Sequence, residues 1–390
     1  MSKIEKGLRA VFVRECKRLV GRPVYLICII GVPLFCAFFF TTLMWSGVPE
    51  QLPVAVVDLD QSKVSRNLIR TLESMNAVKI EHKLNSYTEA REAMQRNEIY
   101  AFMTIPEGFE AKASSGKQPE LSFVSNDAYF VAGMFSYKAL KMSGALANGA
   151  VVRSMLVAKG TSPEEIGARL QPVILDTHPL GNPWVNYSIF INNVLLPAMI
   201  ELMVLLMTVF SIGVEIKAGT SRRLLVTGNR SLLRVLLGKL LPQTALFTLM
   251  GWGINIYLFG YLHFPDANGI LPILAATFLM VVASQALGVF LAGCFPTLRL
   301  GLSSASLFGI VAFSIVGFSM PVMAMYEPFQ WLSYLYPVRH YFMIYTHQAL
   351  TGSPIWYSLP HYLAFVLFLI APLLVSGRLK RALYEQKYKP

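Results

Sequence analysis

Charge is scarce in this 390-residue sequence. Only 14% of positions are Asp, Glu, Lys or Arg while 54% are hydrophobic, and mean hydropathy is +0.51. Soluble domains carry about 25% charged residues, so this composition excludes a chain folded around one soluble core. Cysteine is nearly as rare: Cys16, Cys28, Cys36 and Cys294 are the only four, and none lies in 46–185, so that stretch has no disulfide framework. Catalytic signatures are missing too. There is no GxSxG, no HExxH, no cysteine with a paired histidine and no phosphate-binding loop, since Gly238-Lys239 runs on into Leu240 and Gly116-Lys117 into Gln118. The six histidines, His82, His178, His263, His340, His347 and His361, form no close ligand pair in sequence; they read as scattered surface residues, and no metal site is expected. An excess of 34 Lys and Arg over 22 acids would suit nucleic acid, but no basic stripe with interleaved aromatics occurs, which excludes that partner.

Long apolar runs are abundant instead. The stretch 186–259 sets the plan: IFINNVLLPAMIELMVLLMTVFSI, a basic loop, then VLLGKLLPQTALFTLMGWGINIYLF. A helix needs about 20 apolar residues to cross a bilayer; these two runs and those at 24–44, 270–292, 301–320 and 359–375 make six. The loop at 214–231 carries Lys217, Arg222, Arg223 and Arg230 against Glu215, and Arg299, Arg378, Lys380 and Arg381 flank later runs. Short loops rich in Lys and Arg stay in the cytoplasm, which places this loop and both termini inside. Within the loop, Thr220 is positioned to cap a short helix SRRLLV, Gly228 to end it and Ser231 to cap the next span. Residues 3–20 align Ile4, Leu8, Phe12 and Cys16 on one stripe, the pattern of a helix lying in the interface.

The fold class expected is therefore an α-helical polytopic membrane protein of six transmembrane helices with an inserted extracytoplasmic α/β domain. Its parts are an interfacial helix at 1–22, a first span at 23–45, the insert at 46–185, five more spans at 186–377, and a basic cytoplasmic tail at 378–390. The insert, with 14 Lys and Arg against 15 acids, is near neutral and can be translocated whole. PVAVVDLD, AVKIEH, IYAFMTIP and ELSFVSND read as strands, and SKVSRNLIRTLESM and TEAREAMQRN as helices between them. A longer helix follows at 129–159, and the Pro- and Gly-rich HPLGNPWVNY returns the chain to the bilayer.

Two further features call for function. Residues 321–357 crowd ten Tyr, Trp and Phe among prolines, a composition for short helices dipping into the outer interface, with Pro321, Trp331, Tyr334 and Pro337 expected at an outer gate. Glu201 lies near the middle of the second run. An acid there is unfavourable by roughly 2.5 to 3.5 kcal/mol and must face protein or a cavity. Asn193 and Pro197 share its face, which makes the three a lining for a substrate path; the alternative is a protonated acid bonded to Gln285 or Ser284.

In this order the parts resemble the membrane subunit of an ABC exporter of the type-2 permease family, in the branch with a large extracytoplasmic insert after the first span. The residues that carry the likeness are PVAVVDLDQSKVSRNLIRTL, AFMTIPEGFEAK, Asn182-Pro183, Glu215 with Gly219-Thr220 and Leu224-Leu225, Gly238-Lys239, GFSMP and LYPVRHY. The loop departs from the family's acidic pattern at Lys217 and Arg222, and Leu196-Pro197-Ala198 stands where Pro-Gly is common. The resemblance implies that Glu215, Gly219, Thr220, Arg222 and Arg223 form a coupling element that docks on a separate cytosolic ATPase. That partner would hold ATP and Mg, with no cofactor in this chain. It also implies a second permease chain, identical or paralogous, contact with membrane lipid, and a bacterial inner-membrane location. Export of a hydrophobic or amphipathic drug or lipid would follow, with a periplasmic adaptor and outer-membrane channel as further partners. A membrane-anchored receptor or scaffold and a secondary transporter are the alternative classes; the latter would show internal repeats.

Overall fold

A computed structural model describes residues 6–43, 45, 47–115, 117–171, 178, 181, 182, 186–318 and 320–386. The chain divides into two compact units, one formed by Met1–Leu43 with Pro179–Pro390 and the other by Met44–His178.

In the larger unit, among the described residues, six helices are long and apolar enough to cross a membrane: Pro23–Leu43, Tyr187–Lys217, Leu232–Tyr261, Leu271–Cys294, Leu298–Ile315 and Ile355–Glu385. They are referred to here as spans one to six. Span two is the axis of the bundle, since 72% of its most apolar window is buried within the chain, against 22% for span one and 17% for span six. Such all-round burial needs an all-round apolar helix, and Ile189, Val194, Leu196, Ile200, Val204, Leu205, Val209, Ile212 and Ile216 supply it. Pro197 sits inside this helix without ending it. The sixth helix bends at Leu369–Ile370 and then runs from Ala371 to Glu385, so the basic segment expected as a tail at 378–390 is helical through Glu385. Sequence reading ended that span too early because Arg378, Lys380 and Arg381 break the apolar run, whereas Val375, Leu379 and Leu383 still bury one face at four-residue spacing.

Ahead of span one, the helix Leu8–Gly21 carries two faces. Leu8 and Phe12 of the expected stripe are exposed, as an interfacial helix requires, while Val11, Glu15 and Leu19 are buried against the bundle. The segment at 321–357 forms a 3-10 turn at Val322–Ala324, the helices Glu327–Ser333 and Pro337–Tyr345, and another 3-10 turn at Ile355–Tyr357.

The smaller unit is built on a four-stranded sheet, β1 Leu52–Asp58, β2 Val78–Leu84, β3 Ala101–Ile105 and β4 Ser122–Ser125, in the order β2-β1-β3-β4. β1 is parallel to both β2 and β3, and β4 returns antiparallel along β3. Side chains alternate across a strand, so Val54 and Val56 meet Leu68, Leu72 and Leu140 on one face while Ala55 and Val57 meet Ala90, Ala93 and Phe102 on the other. Ser62 and Ser86 cap the two crossover helices, Lys63–Glu73 and Tyr87–Gln95. The long helix Phe130–Ala158 covers one face, and two short helices that sequence reading passed over occur at Phe109–Ser114 and Pro163–Leu170. Half of HPLGNPWVNY lies outside the described residues; Asn182 and Asn186, within reach of one another, exchange two hydrogen bonds of 2.8 and 2.9 Å ahead of span two.

Candidate functional site

The polar chemistry of the larger unit concentrates where span two ends. Glu215, two residues from the end of that helix, is closed to solvent and accepts hydrogen bonds from Arg14 at 2.8 and 3.0 Å. Arg18 also pairs with it, and the Thr220 hydroxyl donates to its second oxygen. Lys239, in span three, lies 3.4 Å from Glu215 and 2.8 Å from Glu15. Five charged side chains thus draw three elements together: the N-terminal helix, span two and span three. Three cations over two acids leave the cluster one positive charge. Breaking a buried pair by removing one partner costs roughly 3–5 kcal/mol because the other charge is left desolvated, so the cluster fixes the three elements against one another.

Within the element expected to couple to an ATPase, Glu215 turns away from the outer face. Its carboxylate points inward, and so does the hydroxyl of Thr220, which makes no capping bond to the loop helix Ser221–Thr227 although Thr220 is its first flanking residue. Gly219 has φ +65, the left-handed conformation that lets the chain leave span two and turn back within a few residues. Chain reversal after the loop helix is made by Asn229 and Arg230, at φ 55 and 56, rather than by Gly228. Ser231 does cap span three, its hydroxyl accepting from the Arg234 amide.

The loop helix is gripped at both ends. The Gly7 amide donates to Thr227 O at 2.8 Å, the Ser221 hydroxyl to Leu383 O at 2.7 Å, and Arg222 Nε to Tyr384 O at 2.6 Å. Gln386 donates to Gly219 O at 2.8 Å. Its outward face keeps Arg222, Arg223 and Val226 exposed, flanked by Lys217 and Arg230. Close approach of the N-terminal helix depends on Gly238: a Cβ there would lie 2.8 Å from Val11 Cβ and 3.0 Å from Leu8 O. Arg14 and Glu15 are the members that sequence reading missed, and Glu15 has the weaker signal. It hides within a basic run, and its only local signal is its place one turn after Val11.

Along the same helix, 14 residues or about 21 Å from Glu215, lies Glu201. Its Oε2 accepts from the Val338 amide at 2.9 Å, and both residues are fully or almost fully buried. Val338 is the second residue of the helix Pro337–Tyr345. A carboxylate there satisfies a free N–H and meets the positive end of the helix dipole. Neither Gln285 nor Ser284 is its partner: Gln285 joins Thr244 and Leu240 O, and Ser284 bonds Met280 O. Asn193 and Pro197 are buried too, with Asn193 donating to Ile189 O. The face bearing Asn193, Pro197 and Glu201 is therefore packed inside the chain and is no open lining.

Among the residues expected at an outer gate, Trp331 and Tyr334 are exposed, Pro321 is exposed beside the Val322–Ala324 turn, and Pro337 is buried as the first residue of its helix. Histidine is not scattered as expected. His340 Nδ1 lies 3.2 Å from His361 Nδ1, and the His347 and His361 rings are 5.8 Å apart. No group of three or more His, Cys, Asp or Glu able to hold a metal occurs among the described residues.

Comparison with known proteins agrees with this architecture. Over 118 residues the chain is 25% identical to the linearmycin resistance permease protein LnrN of Bacillus subtilis, a stretch that spans 30% of each protein. Residues 23–378 match the family described as ABC-2 family transporter protein, which takes in all six spans but the last turns of the sixth helix. With most of its length matched, this multi-pass membrane chain belongs to the ABC-2 transporter family, as a permease subunit.

Proposed function

We propose that the chain is the permease of an ATP-driven exporter and that the loop helix Ser221–Thr227 is the element a separate cytosolic ATPase pushes on. The observation that carries this reading is the buried cluster of Glu15, Glu215, Lys239, Arg14 and Arg18. A displacement at the loop helix is useful only if it reaches the spans without slack, and a desolvated ion cluster removes the slack where loop, span two and span three meet. A receptor or scaffold needs no such brace. ATP and Mg are held by the partner, and a second permease chain completes the path. Both termini and the loop are cytoplasmic, and the Met44–His178 unit is outside. Cargo is a hydrophobic or amphipathic compound, in line with the word resistance in the relative's name.

The exposed face of the loop helix is basic, with Arg222, Arg223, Lys217 and Arg230, so the groove that receives it is acidic. The test is co-purification of the full chain with an ATPase from membranes of its host. Arg223→Glu should release the ATPase at lower salt than wild type. Recovery of Arg223→Glu with the same ATPase at the same salt would reject the docking face, and absence of any ATPase from wild-type preparations would reject the exporter.

A further inference from the structure

Arg339 is a buried cation without an acid. Its Nη1 donates to Val316 O at 3.1 Å, its guanidinium stacks on Tyr334 at 4.5 Å, and its Nε meets no acceptor. Neighbouring Val338, not Arg339, takes the carboxylate of Glu201. His340, next in sequence, touches His361 through Nδ1 and Tyr334 O through Nε2 at 3.0 Å, and His361 faces His347, whose Nδ1 is likewise buried and unpartnered. Among the described residues no salt bridge or hydrogen bond joins any of these four to a carboxylate. One buried arginine without a counter-charge, set beside three imidazoles inside a membrane protein, is suited to an anion.

Beside them runs an apolar groove of 640 Å³, lined by Leu287, Phe290, Phe308, Tyr334, His340 and Phe368 among others. That volume is within the range of about 300–1,000 Å³ usual for ligand sites. Its rim residues Leu367 and Leu374 are 64% and 76% exposed, so in a bilayer the groove opens sideways onto acyl chains. Tyr334 and His340, both on its wall, join the groove to Arg339 and His361. We propose that this groove holds a membrane phospholipid with an anionic head, its acyl chain along span six and its phosphate on Arg339 and His361. The groove supplies the apolar area and Arg339 supplies the selectivity for head charge, because the phosphate of an anionic head is not offset by a cation of its own as that of a zwitterionic head is.

The test uses the purified full-length chain and native mass spectrometry, offering dioleoyl phosphatidylglycerol or dioleoyl phosphatidylcholine, which carry the same acyl chains. Wild type should retain phosphatidylglycerol at least about tenfold more tightly, the factor expected for one charge-assisted hydrogen bond. His361→Gln and Arg339→Gln should each erase most of that preference, and Ala364→Trp, placed on the groove wall, should reduce retention of both lipids. Because Arg339 also supports Val316, His361→Gln decides the matter if Arg339→Gln fails to fold. Wild-type preference in His361→Gln would overturn the proposal. So would ATP-dependent release of the lipid to the opposite leaflet, which would make it cargo, or a disulfide between two copies at Leu367→Cys, which would make the groove an interface between permeases.

Discussion

The ammonium of Lys239 lies 2.8 Å from the carboxylate of Glu15, across 224 residues of sequence, and both side chains are closed to solvent. An ion pair at that depth stabilises little by itself and costs much to break. Its value is positional: it seats the N-terminal helix on span three beside the end of span two.

Single and double replacement separate those two effects. Lys239→Met should destabilise the chain by roughly 3–5 kcal/mol, since it strands Glu15, whereas Glu15→Leu with Lys239→Met should recover much of the loss. Thermal unfolding in detergent reads both. A double-variant loss equal to the sum of the losses in Glu15→Leu and Lys239→Met alone would show that the pair is not coupled.

Glu201 makes a second prediction. Glu201→Gln keeps an oxygen acceptor for the Val338 amide, and Glu201→Leu removes it. Hydrogen exchange at Val338 should be nearly unchanged in the first and faster by about an order of magnitude in the second, as loss of a helix-terminal bond worth about 1 kcal/mol requires. Equal protection in all three proteins would remove the bond from the account.

The insert offers a pH test. Burial pushes the Asp60 carboxyl up, but bonds from the Ser62 side chain and from the backbone at Glu110, Phe109 and Gly108 outweigh it and hold the group below the ordinary carboxylate value. A depressed folded-state pKa gives stability that is present above the unfolded value of about 4 and lost as pH falls through the folded value. Asp60 is partly open to solvent, so the effect is at most about 1 kcal/mol. The protection factor of the Phe109 amide, its exchange rate relative to the intrinsic rate at each pH, should therefore fall below pH 4 in wild type and be flat with pH in Asp60→Asn.

Topology is read by labelling. In a background lacking the four native cysteines, Gln118→Cys should react with an impermeant thiol reagent added to intact cells and Asn229→Cys should not. Both side chains are exposed, so access to the reagent is decided by the membrane alone. Labelling of Asn229→Cys would reverse the orientation.

What sequence could show here was set by the range of each interaction. Six spans and the alternation of strand and helix in 46–185 follow from local apolar periodicity, so they were legible, as was the Ser231 cap three residues before its amide. Partners far apart in sequence were not. Glu215 reads as an exposed loop acid until Arg14 and Lys239 are brought to it, Glu201 finds Val338 137 residues away, and His340 meets His361 only because span six folds back past the outer helix. Local stripe analysis also favoured Leu8 and Phe12 over Val11 and Glu15, because it cannot tell a face turned to lipid from a face turned to protein.

The central claim is that the buried cluster transmits ATPase work through the loop helix. The most direct measurement is ATP hydrolysis by the co-purified permease–ATPase complex, with and without added transport substrate, for wild type and for Glu215→Ala with Thr220→Ala. The account predicts that the double variant inserts and still binds the ATPase, because the basic outer face of the loop helix is untouched, but that stimulation by substrate falls severalfold. Wild-type stimulation in a correctly inserted, ATPase-bound double variant would contradict it.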